Sequence, residues 1–199
     1  MAVIIGLAGK TGSGKDTAAR FIIEAGYAVQ RVGFADVLKH CAAQVFDIEV
    51  AIFFGIEQKE HAHPVLGKTY RQLLCEFGTK MRDIDPDVWV RWADRTARCA
   101  LERGEGVIFT DVRYANEVAY IHDMGGHVIE IRRPWTIHPH EVVREHPSEN
   151  YSGDVDACIL NDNTLETFRT RILHRTEQWY GPPSQSPQLH APRDTPDTR

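Results

Sequence analysis

The sequence has few of the residues that mark zinc-binding, secreted or membrane proteins. It has four cysteines in 199 residues, and no two of them form a C-x-x-C pair. This argues against a zinc site and a disulfide framework, and it favours reduced thiols in a cytoplasm. No segment approaches the roughly 20 apolar residues of a membrane span, and no basic leader precedes the first apolar run. We therefore expect a soluble, cytoplasmic protein without a membrane partner.

An excess of basic residues is missing as well. The chain carries 28 Asp and Glu against 23 Lys and Arg, which gives a formal net charge of −5. A general nucleic-acid binder would usually have a basic balance or stripe, so no nucleic-acid partner is expected. A small anionic ligand needs only a local basic pocket. With 42% apolar residues the chain is long enough for one domain with its own core.

Short apolar runs alternate with longer amphipathic segments, and this pattern predicts an α/β fold with a parallel sheet flanked by helices. Strands are predicted at 2–8, 28–33, 106–110, 127–132 and 156–160. Helices are predicted at 16–25, 35–46, 70–82, 88–103, 114–124 and 165–179. From Gly181 onward Pro, Ser, Gln, Asp and Thr dominate, which predicts a disordered, Pro-rich tail over 181–199.

A glycine-rich segment directly follows the first predicted strand. It matches the P-loop template G-x-x-x-x-G-K-[ST] at Gly9, Gly14 and Lys15. A strand that turns through glycines into a helix directs backbone N–H groups into one concavity, where the helix dipole adds to their attraction for phosphate. We therefore predict phosphate binding here, with Lys15 on the outer phosphates. The alternative is a glycine turn whose following acid merely suits the helix dipole.

One position departs from that template. Asp16 stands where a hydroxyl that holds Mg²⁺ is expected, and Thr17 follows it. Either Asp16 meets the metal directly or through water, because hard cations favour carboxylate oxygens, or Thr17 supplies the hydroxyl after a small shift. We favour Asp16 near the metal.

A second polar pair, Asp111 and Arg113, follows the predicted strand 106–110. Ligands of open α/β sheets bind at the carboxyl ends of the strands. In P-loop enzymes an acid at the end of a neighbouring strand helps to hold Mg²⁺, so Asp111 is a candidate metal-side group. Arg113 could pair with Asp111, with Glu117 or with a phosphate. Alternatively, Asp111 caps the predicted helix 114–124.

The predicted helix 70–82 carries an unusual face. Arg71, Cys75, Gly78 and Arg82 lie near one line, away from an apolar stripe. A glycine inside a helix costs about 1 kcal/mol relative to Ala, and one explanation is that a ligand or another backbone comes close to Gly78. An ordinary solvated basic face is the alternative.

Four segments in this order resemble the phage-type deoxynucleoside monophosphate kinases. They are Gly9 to Thr17, Phe34 to Lys39, Arg71 to Leu74 with Phe77 to Thr79, and Asp111 to Glu117. The resemblance covers roughly residues 3 to 175 and implies one kinase domain over 1–180, with the nucleoside monophosphate kinase type of P-loop fold. Val37 and Cys75 depart from the residues usual in that family, proline and glutamine.

The resemblance implies a Mg²⁺-dependent transfer of the γ-phosphoryl group of ATP to a deoxynucleoside monophosphate. The acceptor phosphate is largely a dianion at pH 7, since its second pKa is about 6, so no general base is needed. The residues implied for ATP are Gly9, Lys10, Thr11, Gly12, Ser13, Gly14, Lys15, Asp16 and Thr17, with Asp16, Thr17 and Asp111 near Mg²⁺. Those implied for the acceptor are Asp36, Lys39, Arg71, Gly78, Thr79, Arg82, Asp111 and Arg113.

A polar stretch at about 133–153 resembles the lid of such kinases. Arg132 and Arg133 open it, and we predict that they act with Lys15 and Asp16 in catalysis by closing over the transferring phosphoryl group. Arg144 is a further candidate. The lid also contains His138, His140, His146 and Glu149, whose spacing is not that of an H-E-x-x-H zinc helix.

Three other functions remain open on the sequence alone. The acceptor could be another small phosphorylated molecule such as phosphomevalonate, because the P-loop does not set acceptor identity. A GTP-driven switch protein would show an Asn-Lys-x-Asp run, which the sequence lacks. It would also show an Asp-x-x-Gly turn, but Tyr114 stands three residues after Asp111, where that turn has glycine. A catalytically silent nucleotide-binding module is the third, and the retained Lys15 and Asp16 argue against it. The resemblance leaves a homodimer open, and it implies a host cytoplasm if the gene belongs to a phage.

Overall fold

Five parallel strands form the centre of the computed structural model, which describes residues 2–55, 57–134 and 154–183. The strands are β1 (Ile4–Ala8), β2 (Val29–Val32), β3 (Gly106–Val112), β4 (His127–Arg132) and β5 (Ala157–Leu160). They lie in the order β2-β3-β1-β4-β5. Every residue of β1 is buried, as expected of a central parallel strand covered on both faces. The predicted α/β class and five-stranded sheet are confirmed.

Seven α-helices and one 3₁₀ helix connect and cover these strands in the described residues. They are α1 (Lys15–Glu24), α2 (Asp36–Phe46), α3 (Val50–Phe54), the 3₁₀ helix Gln58–Glu60, α4 (Tyr70–Ile84), α5 (Val88–Glu102), α6 (Ala115–Asp123) and α7 (Leu165–Tyr180). All six predicted helices exist, with ends within two residues of the predictions. Helix α3 and the 3₁₀ helix were not predicted, because elements of five and three residues carry too little periodicity.

Three apolar clusters hold the layers together. Helices α1 and α7 pack on one face of the sheet through residues such as Phe21 and Phe168, and α5 and α6 pack on the other through Ala97 and Ile121. The third cluster joins α2, α3 and α4 and contains no strand residue. Helices α2 to α4 therefore form a side assembly with its own small core.

The carboxyl ends of the parallel strands meet at one edge of the sheet. The segments that leave this edge are the loop after β1, the turn before α2, the turn after β3, and the residues that follow β4 and β5. Because β1 is the middle strand, its glycine loop lies between the other four segments.

The opposite edge is tied to the end of α7. The Tyr180 hydroxyl donates to the carbonyl oxygen of Ile4 (2.6 Å), at the start of β1. The Trp179 ring stacks on the ring of His127 at the start of β4, with 4.3 Å between centroids. The Tyr27 hydroxyl donates to the carbonyl oxygen of Gly181 (2.7 Å). Among the described residues, no helix has both the length and the apolar content needed to cross a membrane.

Candidate functional site

The loop after β1 takes its shape from its glycines. Gly9, Gly12 and Gly14 have φ angles of 132°, 77° and 111°, which side-chain-bearing residues rarely adopt. A Cβ at Gly9 would run into the carbonyl oxygen of Ile131, and one at Gly14 would lie 2.7 Å from Nδ2 of Asn161. These two positions therefore need glycine for both conformation and space.

The loop directs polar groups into its own concavity. Lys15 is buried, and its ammonium donates to the carbonyl oxygens of Gly9 (2.6 Å) and Lys10 (2.8 Å). The Ser13 hydroxyl is buried and has no hydrogen-bond partner in the described part of the chain, an arrangement that costs about 1–3 kcal/mol. Gly14, the N-cap of α1, has no side chain to satisfy the first N–H groups of the helix. The loop and helix end thus have the donors that an anion needs.

A residue that the sequence analysis missed holds this loop from the side. Asn161, just after β5, donates through Nδ2 to the carbonyl oxygen of Ser13 (2.9 Å). Its own N–H donates to the carbonyl oxygen of Arg132 (2.8 Å). Asn161 therefore joins the ends of β4 and β5 to the loop, and no sequence motif marks a single asparagine of this kind.

Two carboxylates stand near the loop in different environments. Asp16 is exposed in the first turn of α1. The Asp111 carboxylate accepts hydrogen bonds from the backbone N–H groups of Phe34 (2.8 Å) and Ala35 (3.0 Å). The alternative that Asp111 caps the helix after it is therefore wrong. Asp111 holds the turn before α2, because β3 lies beside β2 in the sheet.

Oxygen donors near the loop suit a hard cation that keeps most of its water. In the described ranges, no group of three or more His, Cys, Asp or Glu side chains could hold a metal ion. Mg²⁺ is usually bound by one or two carboxylates together with substrate phosphates and water, rather than by a protein cage. Asp16, Thr17 and Asp111 fit that mode of binding.

Glu117, rather than Asp111, accepts the backbone N–H groups just before α6. Its carboxylate accepts the N–H groups of Arg113 (2.7 Å) and Tyr114 (3.1 Å) and lies 3.5 Å from Nη2 of Arg82. Burial raises the pKa of Glu117 to about 7, and the nearby charge of Asp111 acts in the same direction. The Arg82 guanidinium also lies over the Tyr114 ring, 3.9 Å from its centroid. Arg82 on α4 is thereby attached to the turn after β3.

The start of α4 is fixed by its own sequence, and this start positions Arg71. Thr69 and Gln72 form a capping box, in which Thr69 Oγ1 accepts the Gln72 N–H and Gln72 Oε1 accepts the Thr69 N–H. One residue into the helix, Arg71 Nε lies 2.5 Å from Oε1 of Glu60. Both side chains are largely buried, so this ion pair is held firmly against the 3₁₀ helix.

Lys39 reaches the same region from α2. Its ammonium lies 3.1 Å from Oδ1 of Asp36 and 4.3 Å from the centroid of the Phe54 ring. Asp36 also pairs with Arg31 at 3.2 Å. Asp36 therefore pairs with two cations, and the direct acceptor contact implied by the resemblance stays a prediction.

Lys59 is the member of this region that the sequence analysis did not identify. It lies on the 3₁₀ helix Gln58–Glu60, between α3 and α4 in the chain, and is half-buried. Burial first, and then the charges of Arg71, Lys39 and Arg113, lower its pKa to about 8. We call Lys39, Lys59, Arg71 and Arg113 the basic cluster. Its Lys59 could not be found from periodicity, because it lies in a three-residue turn within a polar connection.

The close approach at Gly78 has a different partner from the one expected. A Cβ there would lie 2.9 Å from Cδ2 of Leu38 on α2. The Gly78 carbonyl oxygen accepts a hydrogen bond from Nε1 of the buried Trp89 (3.3 Å). The glycine thus allows α2 and α4 to pack closely, because the Leu38 side chain, rather than another backbone, lies against it. Thr79 is exposed on the same helix.

A cavity of about 520 Å³ opens on the other side of the glycine loop. Its lining residues are Lys10, Ser13, Glu130, Ile131, Arg132, Arg133, Pro134 and Leu160. Arg132 lies on its rim and pairs with Glu130 at 2.7 Å. The predicted lid residues Arg144, His138, His140, His146 and Glu149 lie outside the described residues, as does the predicted tail after 183.

Comparison with known proteins gives relatives at low identity over most of the chain. No family profile matches the sequence. A protein of Acanthamoeba polyphaga mimivirus, described as "Putative deoxynucleotide monophosphate kinase", is 30% identical over 187 residues, which cover 86% of this chain and 94% of that protein. The uncharacterized protein ORF77 of Ictalurid herpesvirus 1 is 29% identical, with 84% of this chain and 68% of that protein covered.

Solved structures share the fold. TT1252 from Thermus thermophilus superposes with a TM-score of 0.53 at 19% identity, over 90% of this chain and 98% of that one. A sugar kinase from a Janibacter species gives a TM-score of 0.50 at 14% identity, over 92% and 97% of the two chains. At these identities the match concerns the arrangement of strands and helices alone.

Proposed function

The chain belongs to the deoxynucleotide monophosphate kinase family, and on that premise we propose that it transfers the γ-phosphoryl group of ATP to a deoxynucleoside monophosphate. The products are ADP and a deoxynucleoside diphosphate. The proposal takes residues 1–180 as one kinase domain, with a lid at about 133–153. ATP and the acceptor are both small anionic nucleotides found in the cytoplasm. The proposal therefore implies that the protein acts in that compartment.

The donor nucleotide binds along the loop from Gly9 to Thr17. The concave loop, the unpaired Ser13 hydroxyl and the uncapped start of α1 support this assignment. In the proposed complex, the Lys15 ammonium leaves the two loop carbonyls and pairs with the outer phosphates. The cavity beside Lys10 has a volume within the usual range of ligand pockets, about 300–1,000 Å³, and would take the rest of the nucleotide.

Asp16, Thr17 and Asp111 are the residues that would hold Mg²⁺. The ion supplies charge neutralisation between the donor phosphates when it is bound. Of the three, Asp16 offers an exposed carboxylate in the first turn of α1. Asp111 already accepts two N–H groups, so we propose that it orients water around the ion.

The acceptor binds on the side of the loop formed by α2, the 3₁₀ helix and α4. Lys39, Arg71 and Arg113 are proposed to neutralise its phosphate, and Arg82, held by Glu117 and Tyr114, to align it. Because the phosphate is already a dianion, these residues need only to position and neutralise it. Arg132 and Arg133, on the rim of the cavity, are proposed to stabilise the transferring group from the other side.

The proposal depends above all on one observation. Asp111 lies at the end of β3, beside the strand β1 that leads into the glycine loop. Its carboxylate accepts the N–H groups of Phe34 and Ala35, in the turn that leads to Lys39 on α2. Donor and acceptor residues are thereby attached to one rigid sheet edge. In-line transfer between two phosphates needs such fixed positioning more than it needs acid–base chemistry.

The test is ATP-dependent formation of ADP by the purified protein with Mg²⁺. Separate reactions contain dGMP, dTMP, dCMP, dAMP, their ribose counterparts or phosphomevalonate. We expect ADP with one or more deoxynucleotides and less with the ribonucleotides. ADP with phosphomevalonate alone would contradict the acceptor class while keeping the donor site, and no ADP in any reaction would contradict the proposed activity.

A further inference from the structure

The side-chain amide of Asn161 holds one peptide group of the glycine loop. Its Nδ2 donates to the carbonyl oxygen of Ser13 (2.9 Å), which belongs to the peptide group between Ser13 and Gly14. Ser13 is buried, so this carbonyl has little access to water. Because a carbonyl oxygen can only accept, the amide must turn its NH₂ group, rather than its oxygen, towards the loop.

The position of this amide is fixed from two sides. The Asn161 N–H donates to the carbonyl oxygen of Arg132 (2.8 Å), which continues the pairing of β5 with β4. The carbonyl oxygen of the preceding residue, Leu160, accepts a hydrogen bond from Nη1 of Arg171 on α7 (2.6 Å). Asn161 is therefore attached both to the sheet and to α7, and rigid elements position its amide.

The hydrogen bond to Ser13 also sets the direction of the Gly14 N–H. In a trans peptide group the C=O and N–H bonds point in opposite directions. Because the Ser13 carbonyl points outward to the end of β5, the Gly14 N–H points to the opposite, concave side of the loop. This N–H has no hydrogen-bond acceptor within the described residues. It is therefore available to an anion.

The peptide group can turn over when this hydrogen bond is absent. Rotation would carry φ of Gly14 from 111° to a negative value, and glycine adopts both. The Ser13 carbonyl would then point into the concavity, where its negative end repels a phosphate. A larger residue at Gly14 could not prevent this, because its Cβ would lie 2.7 Å from Nδ2 of Asn161 and 3.2 Å from Cε1 of Phe168. The hydrogen bond from Asn161 therefore selects the orientation.

We propose that Asn161 is a positioning residue for the donor, which holds the Ser13–Gly14 peptide group so that the Gly14 N–H binds the phosphates of the nucleoside triphosphate. This inference rests on the proposed function, since it concerns the donor site. Asn161 acts through Gly14 and does not touch the phosphates. The end of β5 thereby sets the affinity of a loop that lies 148 positions earlier in the chain.

The first experiment measures the binding of tripolyphosphate with Mg²⁺ by calorimetry. Tripolyphosphate carries the phosphates of ATP without the nucleoside, so it tests the loop alone. Asn161→Leu removes the donor and should weaken binding by about 3- to 10-fold, the loss of one hydrogen bond between neutral groups. Asn161→Asp turns a carboxylate oxygen towards the Ser13 carbonyl, and this repulsion should weaken binding by more than about tenfold. Asn161→Ala removes the donor as well, and it replaces Asn161→Leu if the leucine prevents folding.

The matched control is Asn163→Asp. Asn163 is exposed, and its Oδ1 accepts the Thr164 N–H (2.8 Å). An aspartate keeps this acceptor and adds the same negative charge two residues away from Asn161. Asn163→Asp should change the Kd for tripolyphosphate by less than about twofold, because solvent and salt screen an exposed charge.

The second experiment observes the Gly14 N–H itself by NMR. Protein labelled with ¹⁵N-glycine and ¹³C-carbonyl serine gives signals from the two glycines that follow serine, Gly14 and Gly153, which sequential assignment tells apart. A hydrogen bond to a phosphate oxygen deshields the amide proton. Tripolyphosphate should therefore move the Gly14 signal of the unmodified protein downfield.

Steady-state kinetics then separates positioning of the donor from a general effect on the fold. Asn161→Leu should raise the KM for ATP by about the factor found for tripolyphosphate, about 3- to 10-fold. It should leave the KM for the accepted deoxynucleotide unchanged, because the proposed acceptor residues lie on other elements, such as α2 and α4. A residue that merely stabilises the fold would raise both KM values.

The outcomes separate this inference from the proposed function. Equal affinity for tripolyphosphate in the unmodified protein and Asn161→Asp, an unmoved Gly14 signal, or equal increases in both KM values would each overturn the role of Asn161. If no deoxynucleotide yields ADP, the proposed function fails, and tripolyphosphate binding still decides the role of Asn161. Failure of tripolyphosphate to bind the unmodified protein would overturn the inference itself.

Discussion

Replacing Asp111 tests the connection between the sheet edge and α2. In Asp111→Ala the N–H groups of Phe34 and Ala35 lose their acceptor oxygens, at 2.8 and 3.0 Å. A hydrogen bond to a charged group contributes about 1.5–3 kcal/mol. Because the Asp111 side chain is half-buried, we take the lower value for each of the two, which gives about 3 kcal/mol of lost stability.

This loss can be measured as a melting temperature. For a chain of this size each kcal/mol lowers Tm by about 2–4 °C, so Asp111→Ala should melt about 6–12 °C lower. The control is Asp83→Ala, which removes an exposed carboxylate from a surface pair with Lys80 and should change stability by about 0–1 kcal/mol. If Asp111→Ala and Asp83→Ala had the same Tm, the proposal that Asp111 stabilises the turn before α2 would be refuted.

The same residue has a second expected effect, on catalysis. Asp111→Asn retains one acceptor oxygen and the shape of the side chain, but it removes the negative charge. At a temperature where circular dichroism shows the fold intact, we expect transfer to fall by orders of magnitude and to need more Mg²⁺ for half-maximal rate. An unchanged Mg²⁺ dependence would leave Asp111 with a structural role alone.

Three further changes have defined outcomes. Lys15→Ala should abolish most phosphoryl transfer while circular dichroism shows the fold retained, and unchanged ADP formation would contradict its role. Lys59→Met should raise Tm at pH 7, because Lys59 is charged there and its folded-state pKa near 8, against 10.5 in the unfolded chain, means that the charge destabilises the fold. The unmodified protein should gain stability as pH rises between those two pKa values, and the variant should lack that gain. A lower Tm of the variant at pH 7 would contradict this reasoning. For Glu117, a pKa of about 7 against 4.5 makes the folded chain bind more protons, so the stability that it contributes falls as pH rises through this interval. In urea unfolding, Glu117→Gln should flatten the dependence of the unfolding free energy on pH. The variant should also lower activity, because it releases Arg82. A pH dependence of the unfolding free energy equal to that of the unmodified protein would refute the role given to Glu117.

The fold was largely predictable because its elements depend on local patterns. Runs such as Ile4–Ala8 and Gly106–Val112 are short, apolar and rich in branched residues, as buried parallel strands are. The amphipathic helices are longer, and glycines such as Gly26 and Gly104 end two of them with φ angles of 97° and 77°. Helix α3 escaped prediction because five apolar residues fit a strand as well as a helix.

The site was predictable only where one segment carries the whole signal. The glycine loop is such a segment. The contact of Asp111 with Phe34 is not, because it depends on β3 lying beside β2, and strand order does not follow from chain order. The pair Glu60–Arg71 joins a 3₁₀ helix to a capped helix across 11 positions, with no periodicity to connect them. Lys59 became visible only when these neighbours were placed around it.

The central position of β1 has a consequence for how the chain folds. Ile4 aligns with Val107 on β3, and Ile5 aligns with His127 on β4, so within the described residues the first strand pairs with segments about 100 residues later in the chain. Contacts of this separation slow folding, since a long loop must close before they form. On a ribosome, the apolar strand β1 would wait without a partner until β3 has been synthesised. The glycine loop that follows β1 would then be among the last parts of the molecule to take shape.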